Sequence, residues 1–251
     1  MLNANVKAQC NLFGILKNIE YLAEHDVVSK ELLKDTDIAV QFSVAGGPKA
    51  NLAFRQGKAV MRAGCGKAAL KLGFTSAEHF NKMIDGKGMP IPLKGFTKLS
   101  FLTSTFTSLA ERLTYYLKPD AEHLKDADFF RMNTEMTAYA AMFSLAEIAN
   151  YDPKGQINAR KIPDGIIQIG IKDSVGIMLT VKDGRINAEK GFAPSPRAVL
   201  SFSSVKTAYD VFNGNIDTFS ALALGDMEMR GYIPMVEYMN PVLDMVADYI
   251  G

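Results

Sequence analysis

One pattern of eleven residues occurs twice in this sequence. Residues 51–61 read NLAFRQGKAVM, and residues 178–188 read MLTVKDGRINA. In each copy, apolar and polar residues alternate on both sides of a short turn, Gln56-Gly57 in the first copy and Asp183-Gly184 in the second. Alternation around a two-residue turn that ends in glycine is typical of a β-hairpin with one buried face. Both copies therefore predict a hairpin.

The sequence around the two hairpins is also repeated. Residues 70–86, LKLGFTSAEHFNKMIDG, align with residues 198–214, AVLSFSSVKTAYDVFNG, at an offset of 128, and the hairpins align at an offset of 127. Gln41 and Gln168 share the offset of the hairpins. The aligned windows have identical residues at Leu72/Leu200, Phe74/Phe202, Ser76/Ser204 and Gly86/Gly214. Repeated elements at a nearly constant offset indicate an internal duplication.

Each copy predicts four strands followed by a short helix that begins after a serine. The strands are expected at 38–44, 50–55, 58–63 and 68–74, and again at 165–171, 176–182, 185–190 and 197–202. Ser76 and Ser204 are suitable residues to cap the helices that follow. The glycine-rich segment Gly64-Cys65-Gly66-Lys67 is interpreted as a bulge or hairpin, because it does not match a phosphate-binding loop.

Helices and one additional strand complete the prediction. Helices are expected over 6–34, 97–117, 120–150 and the C-terminal segment around Pro241, and an extra leading strand is expected at 155–162. Each half then reads as helix, sheet, short helix and terminal helix. This order predicts an α+β fold with a curved, largely antiparallel sheet covered by helices on one side.

Charge and composition argue against several classes of function. The 28 basic and 27 acidic residues nearly balance, so nucleic acid is not expected as a partner. No apolar run approaches the roughly 18–20 residues of a membrane span, and no secretory signal is recognised, so a cytoplasmic protein is expected. Two cysteines, Cys10 and Cys65, are too few for a disulfide framework, and both are expected to be buried.

No constellation of residues points to catalysis or to a metal. The histidines, His25, His79 and His123, are scattered through polar segments without metal-ligand spacing. No acid, base and nucleophile converge in the sequence. We therefore expect no catalytic residue, no metal and no cofactor, and an enzyme is the least favoured class.

The second half resembles the sterol carrier protein 2 (SCP2) family over roughly residues 155–250. The resemblance depends on the Asp183-Gly184 hairpin, the strand into Phe202, the Ser204 helix that ends at Phe212-Asn213-Gly214, and the segment 225–231, GDMEMRG. It implies a tunnel between sheet and terminal helix that holds a sterol, a fatty acyl chain or another lipid. It also implies a domain without metal, cofactor or enzymatic activity.

The first half departs from this pattern and is interpreted as a degenerate copy. Between Gly86 and Gly95, Pro90 and Pro92 cannot donate hydrogen bonds to a sheet, so the closing strand is expected to be shortened or absent. The predicted domains are a degenerate SCP2-like half with an N-terminal helix at 1–118 and an SCP2-like lipid-binding domain with a leading helix at 119–251.

Methionine and phenylalanine are the candidate ligand-binding residues. The chain has 13 Met and 15 Phe, and methionine suits a tolerant apolar lining. Met227 and Met229 share a strand face, and Met235 and Met239 share a helix face. The predicted wall consists of Phe202, Phe212, Phe219, Met227, Met229, Met235 and Met239. The same residues would also suit a plain core.

Two functional hypotheses follow. The first is non-catalytic binding or transfer of an apolar ligand in a tunnel between the sheet and the C-terminal helix. The alternative is a protein-interaction or accessory module for a lipid-metabolising enzyme, with a filled core and no ligand. A large exposed apolar patch beside a filled core would favour the alternative. A homodimer and transient membrane contact remain open.

Overall fold

The chain folds into two compact units that divide between Lys118 and Pro119. The computed structural model describes residues 2–250. We refer to the parts on either side of this division as the N-terminal unit and the C-terminal unit. Each contains one five-stranded sheet together with helices, so the predicted α+β class is confirmed.

The two sheets have the same topology. The N-terminal unit contains β1 Ile38–Val44, β2 Lys49–Arg55, β3 Lys58–Ala63, β4 Leu70–Phe74 and β5 Ile91–Lys94, in the order β3-β2-β1-β4-β5. The C-terminal unit contains β6 Gly165–Ile171, β7 Gly176–Lys182, β8 Arg185–Lys190, β9 Ala198–Phe202 and β10 Met227–Gly231, in the order β10-β9-β6-β7-β8. Only β1/β4 and β6/β9 pair in parallel among these strands, which confirms a largely antiparallel sheet.

The predicted hairpins form with the expected turn geometry. Arg55 pairs with Lys58 and Lys182 pairs with Arg185, which leaves two residues in each turn. Gln56 and Asp183 have φ values of 50° and 51°, and the glycine that follows each of them also has positive φ. Two consecutive residues of positive φ match the right-handed twist of the flanking strands, and glycine takes this conformation without steric cost.

Helices in the N-terminal unit precede and follow its sheet. They are α1 Ala4–Gln9, α2 Ile19–His25, α3 Val27–Leu33, α4 Ala77–Ile84, α5 Leu99–Phe101 and α6 Thr107–Leu117. Tighter or wider helical turns at Cys10–Ile15, Leu16–Asn18, Phe96–Lys98 and Leu102–Phe106 join some of them. The predicted cap of α4 is confirmed, because the Ser76 side chain accepts a hydrogen bond from the backbone N–H of His79.

Helices in the C-terminal unit include the longest of the described chain. After a 3-10 turn at His123–Lys125 come α7 Ala127–Tyr151, α8 Pro153–Ala159, α9 Val205–Phe212, α10 Thr218–Ala223, α11 Pro234–Leu243 and α12 Val246–Ile250. Ser204 caps α9 by accepting from the N–H of Thr207, as predicted. The helix predicted from residue 120 begins instead at Ala127, because the Asp126 side chain caps it there.

The extra leading strand predicted at 155–162 is wrong. This segment belongs largely to helix α8, which starts directly after α7. The Asp152 side chain accepts hydrogen bonds from the N–H groups of Lys154 and Gly155 at 2.8 and 2.9 Å, so it caps α8. Pro153 occupies the first turn of α8, where no intrahelical N–H bond is lost. The Asp-Pro pair therefore begins a helix as well as ending one.

The closing strand of the N-terminal unit is shortened, as predicted. Strand β5 pairs with β4 through Lys94, Pro92 and Ile91, with an irregularity in register between Lys71 and Leu72. Strand β10 makes a regular five-residue pairing with β9. Pro92 has no N–H to donate, and β5 lies at the edge of its sheet, where proline is tolerated.

The buried carboxylate of Asp26 connects helix α6 with the junction of α2 and α3 through hydrogen bonds. Asp26 is only 4% exposed and accepts hydrogen bonds from Arg112 Nη2 at 2.6 Å and from Tyr116 OH at 3.0 Å. Its side chain also caps α3 through the N–H of Ser29. Burial alone would raise the pKa of Asp26, but hydrogen bonds from Arg112 and Ser29 outweigh burial and hold this pKa below its ordinary value. Burial raises the pKa of Tyr116 to about 12.

Removing this charge should destabilise the N-terminal unit. For Asp26→Asn we expect the free energy of unfolding at neutral pH to fall by about 2 kcal/mol, since hydrogen bonds to charged groups contribute about 1.5–3 kcal/mol. Because the pKa of Asp26 is lowered in the folded state, its carboxylate stabilises the folded protein at pH values above the unfolded pKa of about 4. This stabilisation is lost as the pH falls through the folded pKa. Denaturant titrations across this range should therefore show a flatter acid limb for the variant.

The exposed ion pair between Asp37 and Arg55 provides the control for this prediction. Both side chains are largely exposed, with Nε and Oδ1 3.7 Å apart, so Asp37→Asn should change stability by less than about 1 kcal/mol. Equal losses in the two variants would show that the Asp26 cluster has no special role.

Candidate ligand-binding site

The sheet of the C-terminal unit has two chemically different faces. Along β9, Ala198, Leu200 and Phe202 are buried, whereas Val199 and Ser201 are only partly buried. Helices α9 and α11 contact β9, and α7 contacts β7 and β8. We call the side of Leu200 the helix face and the side of Ser201 the open face.

Six of the residues predicted to form an apolar wall lie at the helix face or on the helices that pack near it. In the pairing of β10 with β9, Met227 lies opposite Phe202 and Met229 lies opposite Leu200, so both methionines point to the helix face. Phe202 and Phe212 are in ring contact, with centroids 5.4 Å apart. Met235 and Met239, on α11, are 0% exposed. The remaining predicted residue, Phe219, is 84% exposed and is not part of this buried set.

The layer between the helix face and α11 is closed by the protein's own side chains. The side chain of Met235 extends to strand β6. If Gly165 of this strand carried a Cβ atom, that atom would lie 3.3 Å from Cε of Met235. Phe202, Met227, Met235 and Met239 are all buried. A ligand in this layer would have to displace methionine side chains.

The terminal helices that close this layer are interrupted. Pro241 lies within α11, which ends at Leu243, and α12 begins at Val246. The Tyr249 hydroxyl donates a buried hydrogen bond of 2.8 Å to the Asp152 carboxylate, which also caps α8. A proline inside a helix removes a backbone hydrogen bond, so this segment is held less firmly than a continuous helix.

A groove of about 510 Å³ lies on the open face of the same sheet. Gly170, Val199 and Ser201 lie on its floor, and Glu228 and Arg230 of edge strand β10 lie along one side. Lys172, Asp173, Ser203 and Asp226 are at one end. This volume is within the usual range of small-molecule sites, about 300–1,000 Å³. The alternating sequence pattern does not predict the groove, because alternation identifies the buried face of each strand and the groove lies on the other face.

The ring of Phe192 rests against two glycines at this groove. Gly170 and Gly176 face each other across β6 and β7. A methyl group at Gly176 would stand 2.7 Å from Cε1 of Phe192, and one at Gly170 would stand 3.6 Å from the same atom. Phe192 nevertheless remains 63% exposed. In the sequence, the sign of this arrangement is a glycine in each of two paired strands, Gly170 and Gly176, followed by Phe192 in a loop.

Gln168 holds the loop that carries Phe192. This buried side chain donates through Nε2 to the carbonyl groups of Ile177 and Gly191, each at 3.2 Å. Its Oε1 accepts from the N–H of Ala193 at 2.7 Å. These bonds satisfy both ends of the amide and fix the loop on either side of Phe192.

Gln41 has the same role in the N-terminal unit. Its Nε2 donates to the carbonyl group of Gly64 at 3.1 Å, and its Oε1 accepts from the N–H of Gly66 at 2.9 Å. At the offset of 127, Cys65 therefore occupies the position of Phe192. Cys65 is exposed, so the expectation that both cysteines are buried is wrong for Cys65, because this loop lies outside the core; Cys10 is buried.

The charged groups at the groove are nearly balanced. Lys172 and Arg230 are basic, and Asp173, Asp226 and Glu228 are acidic. Arg230 Nε and Glu228 Oε1 are 3.2 Å apart and partly neutralise each other.

Within residues 2–250, no three His, Cys, Asp or Glu side chains are grouped so that they could hold a metal ion. None of the helices in that range has the length and apolar character to cross a membrane.

Comparisons with known proteins find solved structures of low sequence identity. One is a UbiJ-SCP2 ubiquinone synthesis protein, with 14% identity and a TM-score of 0.35, covering 44% of this chain and 94% of that one. Another is sterol carrier protein domain 2 of Helicoverpa armigera, with 15% identity, a TM-score of 0.36, and coverage of 46% and 91%. A third is SCP2-like 2 from Aedes aegypti, with 18% identity, a TM-score of 0.34, and coverage of 43% and 96%.

These neighbours are SCP2 domains. The family that the sequence of the second half resembles, SCP2, is therefore also the family of these structural neighbours. No protein-family model and no curated protein matches the chain.

Breaking the loop contacts of Gln168 should free the loop without unfolding the sheet. For Gln168→Leu we expect the free energy of unfolding to fall by about 1–3 kcal/mol, because buried partner groups of the amide lose their hydrogen bonds. Hydrogen exchange at the N–H of Ala193 should accelerate more than exchange in β6. Gln41→Leu should produce the same pattern at Gly66.

Thr180→Val is the control for this prediction, because Thr180 lies on the same sheet and is only partly buried. Unchanged protection at Ala193 in Gln168→Leu would show that the loop is held by other contacts.

Proposed function

We propose that the C-terminal unit binds an apolar small molecule, such as a lipid, without catalysing its conversion. The observation that supports this proposal is the methionine-rich layer between the helix face and α11. Met227, Met235 and Met239 are buried there, and Met229 is partly buried. Methionine has three rotatable bonds and a polarisable sulfur atom, so these side chains can re-pack around an inserted chain.

The closed layer is a ligand-free state in this proposal. An inserted acyl chain gains about 0.8 kcal/mol for each methylene removed from water. The displaced methionine side chains keep apolar contacts, because the ligand replaces the neighbours that they lose. Entry requires the interrupted helices α11 and α12 to move, and the break between them at residues 244–245 follows Met239 by a few residues in the chain.

A second candidate function is a protein-interaction or accessory module with a filled core. Two observations favour it. Met235 and Met239 leave no exposed surface in the layer, and large apolar side chains on and beside α10 and α11 are exposed, namely Phe219, Leu224, Tyr232, Ile233 and Tyr238. Exposed apolar patches commonly mark interaction surfaces. Ligand binding by the purified protein separates the two candidates.

We further infer that the two units arose by duplication, with residues 1–118 as a degenerate copy and residues 119–251 as the ligand-binding domain. The shared strand order, the equivalent serine caps and the equivalent glutamines Gln41 and Gln168 support this inference. The shortened β5 and the absence of a Met pair matching Met227 and Met229 in IPLK support the assignment of the copies.

The first test is uptake of a fluorescent fatty-acid probe by the wild-type chain. Saturable binding is expected, and replacement of Met235 and Met239 together by leucine should weaken it several-fold, because leucine re-packs less readily. Stability should change by less than about 1.5 kcal/mol per site, since the volumes are similar. Met61→Leu, at a buried position of the N-terminal unit, is the matched control. Absence of saturable binding by the wild type would reject the proposal in favour of the interaction module.

Loosening the terminal helix should increase affinity if the layer must open. Tyr249→Phe removes the hydrogen bond to Asp152 and should cost about 1–3 kcal/mol of stability. Loss of this hydrogen bond increases the fraction of molecules in which the layer is open, and apparent affinity rises in proportion to that fraction. The fatty-acid probe should therefore bind several-fold more tightly to this variant. Tyr151→Phe, at an exposed position, should leave affinity unchanged. Weaker binding by Tyr249→Phe would contradict the opening step.

A further inference from the structure

The groove on the open face of the C-terminal sheet has features that its counterpart in the N-terminal unit lacks. Gly170, Gly176 and Ser201 occupy neighbouring positions on the open face of β6, β7 and β9. Gly170 and Ser201 line the groove, and the ring of Phe192 covers Gly176. At the equivalent positions β1, β2 and β4 carry Ser43, Lys49 and Gly73. In the N-terminal unit, Lys49 stands where the C-terminal unit has Gly176, the glycine that Phe192 covers.

The chain itself covers part of the open face of the N-terminal sheet. A methyl group at Gly73, the counterpart of Ser201, would stand 2.7 Å from Cδ1 of Leu93. Leu93 belongs to the shortened strand β5. In the C-terminal unit the corresponding edge strand is β10, which places Glu228 beside Ser201 and Arg230 beside Val199. The floor at Ser201 therefore lies within the groove.

We propose that this groove is a separate binding site for a flat, uncharged aromatic molecule that stacks against the ring of Phe192. This site lies on the opposite face of the sheet from the methionine-rich layer, so the proposal does not depend on the proposed function. The ring of Phe192 lies against Gly170 and Gly176, and Val199 and Ser201 form the floor beside it. Phe192 is still 63% exposed, so its ring can contact a ligand, and the hydrogen bonds of Gln168 hold the loop on either side of it.

The charge of the groove favours a neutral ligand. Two basic and three acidic side chains line it, which leaves a difference of only one charge. Arg230 is paired with Glu228, and Asp226 accepts a hydrogen bond from Ser203 at 3.3 Å. An anion would find no excess of positive charge, and a cation would find an excess of only one negative charge. The hydroxyl group of Ser201 on the floor suits a ligand with one hydroxyl or carbonyl group.

The probe for this site is 2-naphthol, a planar two-ring molecule with one hydroxyl group. Because the chain has no tryptophan, naphthol fluorescence can be excited selectively, and its anisotropy reports binding. We expect saturable binding to the wild type. Phe192→Ala should weaken it about threefold to tenfold, which corresponds to the loss of one aromatic contact. Cys65→Ala, at the equivalent loop position of the N-terminal unit, should bind like the wild type.

A second pair of variants tests the location on the sheet. Ser201→Leu should abolish naphthol binding by filling the floor, and Ser43→Leu on the open face of the N-terminal sheet should not. Decahydro-2-naphthol has the same hydroxyl group without a flat aromatic face and should compete several-fold more weakly than 2-naphthol. Circular dichroism would verify that each variant is folded.

Several results would overturn the proposal. Equal naphthol affinities of the Phe192→Ala and Cys65→Ala variants would show that Phe192 does not contact the ligand. Because Phe192 is an exposed loop residue, its replacement leaves the core intact. Retained binding by Ser201→Leu would place naphthol elsewhere. Displacement of naphthol by the fatty-acid probe would show that the groove is not a separate site. Failure of the fatty-acid probe alone would reject the proposed function and leave this inference standing.

Discussion

The amide side chain of Gln168 connects the core of the C-terminal unit with its open face. It lies on β6, the central strand, whose other side carries Ile167, Ile169 and Ile171 into the apolar layer. A buried amide without partners would cost about 1–3 kcal/mol for each unsatisfied group. The loop that follows β8 supplies those partners, and it is thereby held across the sheet. The position of Phe192 is a consequence of this requirement.

The same sheet separates two environments that could hold a ligand. On the helix face, methionine and phenylalanine fill the space, and any ligand must exchange contacts with flexible side chains. On the open face, the groove exists without rearrangement and is bordered by polar and charged groups. Binding at the first would therefore involve motion of α11 and α12, whereas binding at the second would involve mainly Phe192.

The two units show how one topology can be modified at its edge. Both use a buried glutamine, a serine-capped helix after the fourth strand, and a parallel pair at the centre of the sheet. They differ at the closing strand, where β5 is short and contains Pro92, while β10 is regular. The Asp26 cluster, with Arg112 and Tyr116, strengthens helix contacts in the N-terminal unit instead.

The strands, their hairpins and the serine caps could be predicted from sequence, because these depend on alternation and on residues with local backbone preferences. Met227, Met235 and Met239 were predicted to form part of a ligand-binding wall; they are buried, and their role in binding stays a prediction. Residues 155–162 were misassigned as a strand, since the Asp152-Pro153 pair can both end one helix and begin another. Three features could not be predicted from sequence: Phe219 is exposed, α11 closes over its methionines, and Phe192 borders a groove. These features depend on contacts between residues distant in the chain, which periodicity does not encode.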